Sequence, residues 1–307
     1  MALNTTIKKR KSMLPMYVMM LPGLLYLLIN NYIPMTGLFI AFKNIDYAQG
    51  IFHSGWAGLE NFKYLFSTSD AWVITRNTLL YNATFIILGT VFGVTVGIML
   101  SELSRKFLSR FYQTVLLLPQ LMSIIIVAYI AYAFLSVDTG LINKSILPLF
   151  GIEPISWYME SSYWPFILVI IYLWKGLGYS CIIYLASILG IDKSLYESAE
   201  IDGAGKWRQI ISITLPMLKP TIITLVLMSI GTIFYADFGL FYQIPMNSGA
   251  LYNTTNVIDT YVYRGLLQMN DIGMASAAGA YQSVVGFILI LLANFIVRKV
   301  DKDNALF

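Results

Sequence analysis

The stretch from Tyr196 to Pro216 reads Y-E-S-A-E-I-D-G-A-G-K-W-R-Q-I-I-S-I-T-L-P and lies between two long apolar runs. It is polar and too long for a simple hairpin between neighbouring membrane helices. Its pattern predicts a short helix over 195–201, a turn at Gly203 and Gly205, and a second helix over 207–213 that ends before Pro216. Two short helices at an angle form a compact knob, which suits a groove on a partner protein.

The rest of the chain has the composition of a protein embedded in lipid. Of its 307 residues, 58% are hydrophobic and 12% are charged, and the mean hydropathy is +0.70. We predict an all-α integral membrane protein, because six apolar stretches are long enough to cross a hydrocarbon core of roughly 30 Å. These six predicted transmembrane helices lie at about 14–42, 77–101, 111–136, 164–190, 217–240 and 275–297. The first remains apolar to about residue 42, which favours a retained helix over a cleaved signal peptide.

Lysines and arginines are distributed unevenly about these spans. One side holds Lys43, Lys63, Arg76, Lys144 and Arg264, and the other holds Lys8, Lys9, Arg10, Lys11, Arg105, Lys106, Arg110, Lys193, Lys206, Arg208, Lys219, Arg298, Lys299 and Lys302. By the positive-inside rule the second side is cytoplasmic, and both termini lie there. The predicted organisation is a basic cytoplasmic N-terminus (1–13), a first transmembrane helix with its outer loop (14–76), a core of five transmembrane helices (77–297) that carries the inner loop 191–216, and a cytoplasmic tail (298–307).

The chain lacks the residues of several common sites. Cys181 and His53 are the only cysteine and histidine, which excludes a disulfide framework, most multi-histidine metal sites and most histidine-based catalytic triads. The phosphate-binding pattern G-x-x-x-x-G-K-[ST] is also absent: near Gly205 and Lys206, Glu200 occupies the first glycine position and Trp207 replaces the hydroxyl residue. We therefore expect no metal, no cofactor and no ATP site in this chain.

The inner loop resembles the EAA loop of ABC importer permeases. The family pattern, E-A-A followed by D-G-A and I-x-L-P, aligns with Glu197, Ser198, Ala199, Asp202, Gly203, Ala204, Ile213, Leu215 and Pro216, and only Ser198 departs from it. In this family the loop is the coupling helix, which a cleft in the nucleotide-binding subunit receives. The resemblance therefore assigns the ATPase contact to Glu197, Ser198, Ala199, Asp202, Gly203 and Ala204, and we add Arg208 as a second charged contact. The alternative is an ordinary amphipathic cytoplasmic loop.

The resemblance covers about residue 77 to the C-terminus and is specific to carbohydrate permeases. The stretches W-K-G-L-G-Y (174–179) and P-M-L-K-P (216–220) are similar to sugar permeases, especially the larger maltose-importer subunit, and F-Y-A-D-F-G-L-F-Y-Q-I-P-M-N (234–247) and I-V-R-K-V-D-K-D-N-A-L-F (296–307) are similar to polysaccharide permeases. It implies the type I ABC importer permease fold in a bacterial cytoplasmic membrane. It also implies a second homologous permease in a heterodimer, two ATP-binding cassette subunits that bind ATP and Mg, an extracellular solute-binding protein and an oligosaccharide substrate, with no nucleic acid.

Candidate pathway residues follow from the cost of polar groups inside a membrane. Lys175 lies near the middle of the fourth predicted span, and its neighbours Gly176 and Tyr179 match positions that line the sugar site of the maltose permease. Tyr235, Asp237 and Phe238 match the place where that permease presents asparagines. Sugars are held by hydrogen-bonding groups and aromatic rings, so we add Trp174, Phe241, Tyr242, Tyr281 and Gln282. The alternatives are packing for the aromatics and an ion pair between Lys175 and Asp237.

Two further expectations concern packing and substrate. Gly89, Gly93 and Gly97 recur every four residues and predict close helix packing, with a second small-residue face at 275–279. Lys175 motivates the hypothesis of a larger or acidic saccharide, such as a uronate oligomer. The competing functions are an ion-coupled secondary transporter, with Lys175 and Asp237 as coupling charges, and an integral membrane enzyme, for which the chain has few catalytic residues.

Overall fold

A computed structural model describes residues 16–300 of the chain. The basic residues Lys8 to Lys11, the first two residues of the predicted span 14–42, and residues 301–307 of the predicted tail lie outside the described residues. In chain order the helices are α1 (Met16–Phe42), α2 (Gly50–His53), α3 (Glu60–Ser67), α4 (Ser69–Ser101), α5 (Lys106–Leu121), α6 (Ile124–Leu135), α7 (Trp164–Leu189), α8 (Lys193–Ile201), α9 (Lys206–Gly231), α10 (Phe238–Gln243), α11 (Tyr252–Thr255), α12 (Ile258–Leu267) and α13 (Ile272–Val300). Short 3-10 or π turns lie in the connections that follow α6 and α10, at Ile142–Ile146, Leu147–Phe150, Ser161–Tyr163 and Gly249–Leu251.

The predicted all-α membrane architecture is confirmed. Within residues 16–300, five continuous helical segments are long and apolar enough to cross a membrane: Met16–Phe42, Ser69–Ser101, Ser161–Leu189, Lys206–Gly231 and Ile272–Lys299. A bent pair, Phe107–Leu121 with Ile124–Leu135, makes a sixth span if it is counted as one. The second span begins at Ser69, earlier than the predicted residue 77, because the polar turn before the apolar run is also helical.

The predicted transmembrane helix over 111–136 is not continuous. The two halves, α5 and α6, meet at 94°. Met122 and Ser123 between them have extended backbones, with ψ of 137° and 140°. Pro119 lies one turn earlier and has no N–H to donate, which weakens the helix just before the bend.

The predicted end of the second knob helix before Pro216 is also wrong. The helix continues from the knob into the membrane as α9, through a π-helical turn at Ile210–Thr214 in which the Leu215 N–H donates to the Ile210 carbonyl. This turn changes the hydrogen-bond register just before Pro216, so the missing proline N–H does not end the helix. α9 then ends at Gly231 instead of the predicted residue 240, and a non-helical break at 232–237 precedes α10.

The helices are held together by close backbone approaches and by aromatic packing. A Cβ at Gly93 or Gly97 would lie 3.0 Å from Tyr184 Cε2 or 3.1 Å from the Cys181 carbonyl, so both glycines of α4 lie against α7 of the same chain. Gly89, by contrast, has nothing within 4 Å of such a Cβ. The rings of Phe85 in α4 and Tyr172 in α7 stack with their centroids 3.7 Å apart.

The closest approach is between α7 and α5 at Gly178. A Cβ there would lie 2.0 Å from the Leu116 carbonyl oxygen, which leaves no room for any side chain. We predict that Gly178→Ala destabilises the protein by about 1–3 kcal/mol through overpacking. Thermal unfolding of the detergent-solubilised protein measures this. The control is Gly176→Ala on the same helix, whose new Cβ meets nothing within 4 Å; equal melting temperatures for the two variants would contradict the prediction.

Candidate transport site and coupling knob

A central cavity of about 590 Å³ lies between α4, α7, the end of α9 and the 232–237 break. Four of the predicted pathway residues line it, namely Gly176, Tyr179, Tyr235 and Asp237, and so does Gly89. The lining also includes polar groups (Asn82, Thr90, Ser180, Ser229, Thr232) and the rings of Phe85, Tyr172 and Tyr184. Amides and hydroxyls beside aromatic rings are the groups that bind sugar hydroxyls and the apolar faces of sugar rings.

The 232–237 break brings Tyr235 and Asp237 to this cavity. The N–H groups of Ile233 and Tyr235 form turn bonds to the carbonyls of Ile230 and Thr232, and in a membrane the other backbone groups of the break need partners from side chains. From α4, Asn82 Nδ2 donates to the carbonyls of Ile233 (2.8 Å) and Tyr235 (3.0 Å). Asp237 caps α10, since its Oδ1 accepts the Leu240 N–H at 3.1 Å.

On the far side of the break, Gln282 and Asp259 form a second set of contacts. Gln282 Nε2 donates to the Phe234 carbonyl (2.8 Å) and to Asp259 Oδ2 (3.1 Å), and Asp259 Oδ2 also accepts the Ala236 N–H (2.7 Å). Burial raises the pKa of the Asp259 carboxyl, while these hydrogen bonds act in the opposite direction. Gln282 does not line the central cavity; it lines a lateral cavity of about 530 Å³ between α1, α12 and α13.

Lys175 lies outside the central cavity lining. Its Nζ donates to the Gln120 carbonyl at 3.2 Å, beside the bend between α5 and α6. No ion pair joins Lys175 to Asp237, whereas Lys206 pairs with both Glu102 and Glu200. The positive charge of Lys175 near the C-terminal end of α5 also interacts favourably with the negative end of that helix dipole.

The remaining predicted pathway aromatics also lie outside that lining. Phe238 and Tyr242 stack with centroids 4.9 Å apart, and Phe241 packs against Tyr81 at 4.8 Å in the core. The Tyr281 ring lies edge-on to Phe234, with centroids 5.6 Å apart. Trp174 is 43% exposed on the surface of α7.

The predicted knob comprises α8 and the start of α9. Asp192 caps α8 by accepting the Ser194 N–H at 3.0 Å, and the turn closes through Ala204 N–H to the Ala199 carbonyl at 2.8 Å. Gly203 has φ of +77°, which favours glycine at this position. The Tyr196 hydroxyl lies 2.9 Å from Thr214 Oγ1 and so links α8 to the π-helical turn of α9.

The surface of the knob presents the predicted coupling residues to solvent. Glu197, Ser198, Asp202, Gly203 and Arg208 are exposed, and Ala199 and Ala204 are half-buried. Two exposed apolar side chains also lie here: Ile201 is 87% exposed and Trp207 79% exposed. The sequence analysis missed both, although an isoleucine and a tryptophan within a polar loop are a signal for a protein contact.

The cavity contains residues that the sequence analysis did not select. Asn82 is an amide inside a long apolar run, so the rule that selected Lys175 also applies to it. Ser229 and Thr232 could not be selected from the sequence, because serine and threonine are common residue types in membrane helices. Asp259 lies in an outer connection, where a carboxylate is unremarkable, and only the fold brings it to the break.

Together these features define a class of protein: a multi-pass membrane transport protein with a cavity between its helices, lined by polar groups and aromatic rings, and with an exposed two-helix knob. Residues 89–302 match the model of the family described as "Binding-protein-dependent transport system inner membrane component". The chain belongs to this family of inner-membrane ABC transporter permeases, and it is a carbohydrate permease subunit.

Two relatives align with this chain over nearly their full length. The chain is 35% identical to protein LplB of Bacillus subtilis (strain 168), with 94% of this chain and 90% of the relative covered. It is 34% identical to the polygalacturonan/rhamnogalacturonan transport system permease protein YteP of the same organism, with 94% and 89% covered. The name of the second relative describes a transport permease, not an enzyme.

A solved structure shows the same fold. A chain of a bacterial ABC transporter involved in the import of the acidic polysaccharide alginate is similar with a TM-score of 0.87 and 32% identity, covering 97% of this chain and 99% of that one. A second structure shows the bacterial alginate ABC transporter in complex with alginate pentasaccharide-bound periplasmic protein, with a TM-score of 0.86, 32% identity, and 96% and 98% covered. The predicted permease fold is thereby confirmed.

The position of Lys175 leads to a prediction about stability. Lys175→Met retains the apolar stem but leaves the Gln120 carbonyl without its donor, so we expect a loss of about 1 kcal/mol in the free energy of unfolding. Lys175→Arg retains a donor and should stay near the wild type. Thermal unfolding of the purified protein tests this. A Lys175→Met protein as stable as the wild type would show that the bond to Gln120 contributes nothing.

Proposed function

We propose that this chain is the membrane-spanning subunit of an ATP-driven importer that carries an oligosaccharide into the cytoplasm by alternating access. The observation that carries this proposal is the path of α9. This helix begins in the exposed knob at Lys206 and ends at Gly231, next to the cavity residues Ser229 and Thr232. A push on the knob therefore acts on the cavity wall through one continuous helix.

The coupling follows from this geometry. Separate ATPase subunits, which bind ATP and Mg, receive the knob in a cleft through Glu197, Ile201, Trp207 and Arg208. Their closure moves α8 and α9 together, because the Tyr196 hydroxyl and Thr214 Oγ1 lie within hydrogen-bonding distance. Access to the central cavity then alternates between the two sides of the membrane, and the permease contributes binding and motion without bond chemistry.

The partners are a second homologous permease, two ATPase subunits and an extracellular solute-binding protein. The family description and the alginate complex with its periplasmic protein support the last of these. The Lys and Arg distribution supports cytoplasmic termini and places the knob on the side of the ATPases.

The substrate proposed for the central cavity is an oligosaccharide. Asn82, Thr232 and Asp237 offer groups for sugar hydroxyls, and the rings of Tyr179 and Tyr235 offer stacking surfaces. The similar YteP and alginate permeases support an acidic saccharide. Lys175 does not, since it is bonded to Gln120 outside the cavity lining.

Gly203→Ala tests the coupling. Alanine at φ of +77° is strained, so we expect the turn of the knob to deform and saccharide uptake to fall about tenfold or more, equivalent to about 1.4 kcal/mol. Co-purification of the ATPase subunits should fall with it. The matched control is Gly151→Ala in an outer connection, where φ is +66° and, as at Gly203, a new Cβ has open space.

Two outcomes would contradict the coupling proposal. One is unchanged uptake and ATPase retention in a Gly203→Ala, Glu197→Ala double variant. The other is uptake that collapses with a proton or sodium uncoupler while ATP remains, which is the behaviour of an ion-coupled secondary transporter.

Tyr179→Ala tests the sugar path. It removes an aromatic surface from the cavity, so we expect uptake to fall by about threefold to tenfold, in line with about 0.5–1.5 kcal/mol for an aromatic contact. Tyr129→Ala is the control, because Tyr129 is similarly exposed (67%, against 61% for Tyr179) but does not line the cavity. Equal uptake by the two variants would remove Tyr179 from the path.

A further inference from the structure

We infer that Asp259 is a positioning residue for the saccharide site: its carboxylate holds the 232–237 break in the one arrangement that directs Tyr235 and Asp237 into the central cavity. This inference rests on the proposed function. Asp259 does not line the cavity, so any effect on the saccharide passes through the break.

The contacts of Asp259 converge on the residue between the two cavity-lining side chains. Its Oδ2 accepts the N–H of Ala236 at 2.7 Å, and Ala236 lies directly between Tyr235 and Asp237. Fixing this peptide group restricts the backbone dihedrals on either side of it. The position of this carboxylate oxygen therefore contributes to the directions of the Tyr235 and Asp237 side chains, beside the contact of the Tyr235 hydroxyl with Ser283 Oγ (3.5 Å) and the bond of Asp237 Oδ1 to the Leu240 N–H (3.1 Å).

Gln282 extends the same contact to a second backbone group. It is buried, and its Nε2 donates both to Asp259 Oδ2 (3.1 Å) and to the Phe234 carbonyl (2.8 Å). α12 and α13 thus hold two backbone groups of the break, the Ala236 N–H and the Phe234 carbonyl, through one pair of side chains. The turn bonds of the break engage the N–H groups of Ile233 and Tyr235, so the Ala236 N–H and the Phe234 carbonyl depend on these side chains for their partners.

Asn82 holds the opposite side of the break, through the carbonyls of Ile233 and Tyr235. It also lines the cavity, so a change there would mix positioning with direct contact. Asp259 separates the two effects, since among the described residues it forms no ion pair and its hydrogen bonds lead to the break.

The experiment uses the complete importer, with all its subunits and its binding protein, in proteoliposomes. Three probes are compared on the wild type, namely alginate pentasaccharide, an oligogalacturonate and maltotriose, and the one taken up fastest is used. Uptake and ATP hydrolysis stimulated by the loaded binding protein are both measured for Asp259→Leu, Asp259→Asn and Gln282→Met. Asp271→Leu is the control, because Asp271 also accepts a backbone N–H, that of Met274 at 2.9 Å, but lines neither cavity.

We expect Asp259→Leu to lower uptake about tenfold or more while stimulated ATP hydrolysis stays within about twofold, because the site is misplaced and the knob is intact. Asparagine has one oxygen that accepts both hydrogen bonds, so Asp259→Asn should retain uptake within about threefold. Gln282→Met should resemble Asp259→Leu. A purely structural role would lower uptake and ATP hydrolysis in parallel.

Unchanged uptake in Asp259→Leu would overturn the inference, and so would an Asp259→Asn loss as large as that of leucine, since charge would then matter more than the accepted bonds. A parallel loss of uptake and ATP hydrolysis, or an equal loss in Asp271→Leu, would also overturn it. If Asp259→Leu does not assemble, Gln282→Met decides by the same criteria. A wild type that takes up none of the probes contradicts the proposed function, and the inference falls with it.

Discussion

A backbone inside a membrane must find a partner for every N–H and carbonyl group, and this constraint organises the permease. The chain breaks its helices at two places beside α7, after α5 and after α9. At the first break Lys175 donates to the Gln120 carbonyl. At the second, Asn82 and Gln282 donate to carbonyls and Asp259 and Asp237 accept N–H groups. The polar groups that a membrane makes costly are thus largely used to hold irregular backbone.

The same constraint applies to α9, the helix that connects the knob to the wall of the cavity. Two prolines, Pro216 and Pro220, would each weaken α9 where it leaves the knob. The π-helical turn at Ile210–Thr214 changes the hydrogen-bond register before Pro216, and the helix continues. One continuous helix therefore runs from the exposed Trp207 to the start of the break that carries Tyr235 and Asp237. Motion at one end of such a helix reaches the other end without a chain of separate side-chain contacts.

Length and apolarity were sufficient to predict the number and approximate positions of the spans, because crossing a hydrocarbon core needs a minimum helix length. They did not predict the bend at Met122 and Ser123, since the residues on both sides of it are apolar. The family resemblance selected Gly176, Tyr179, Tyr235, Asp237 and Phe238, of which all but Phe238 line the cavity. Asp259 could not be found in this way, because its partners Ala236 and Gln282 are 23 residues away in opposite directions along the chain.

Lys175 lies inside a predicted span but outside the lining of the central cavity. Neighbouring residues of a helix differ by about 100° in direction, so Gly176 lines the cavity while Lys175 lies beside the end of α5. There its positive charge interacts favourably with the negative, C-terminal end of the α5 dipole. In the same way, the Asp237 carboxylate interacts favourably with the positive, N-terminal end of α10. Among the described residues that line the cavity, Asp237 is the one with a formal charge at neutral pH, and a carboxylate repels a uronate. Under the proposed function, a preference for an acidic saccharide would therefore come from the proposed second permease or from the binding protein, because the cavity of this chain offers hydroxyls, an amide and aromatic rings.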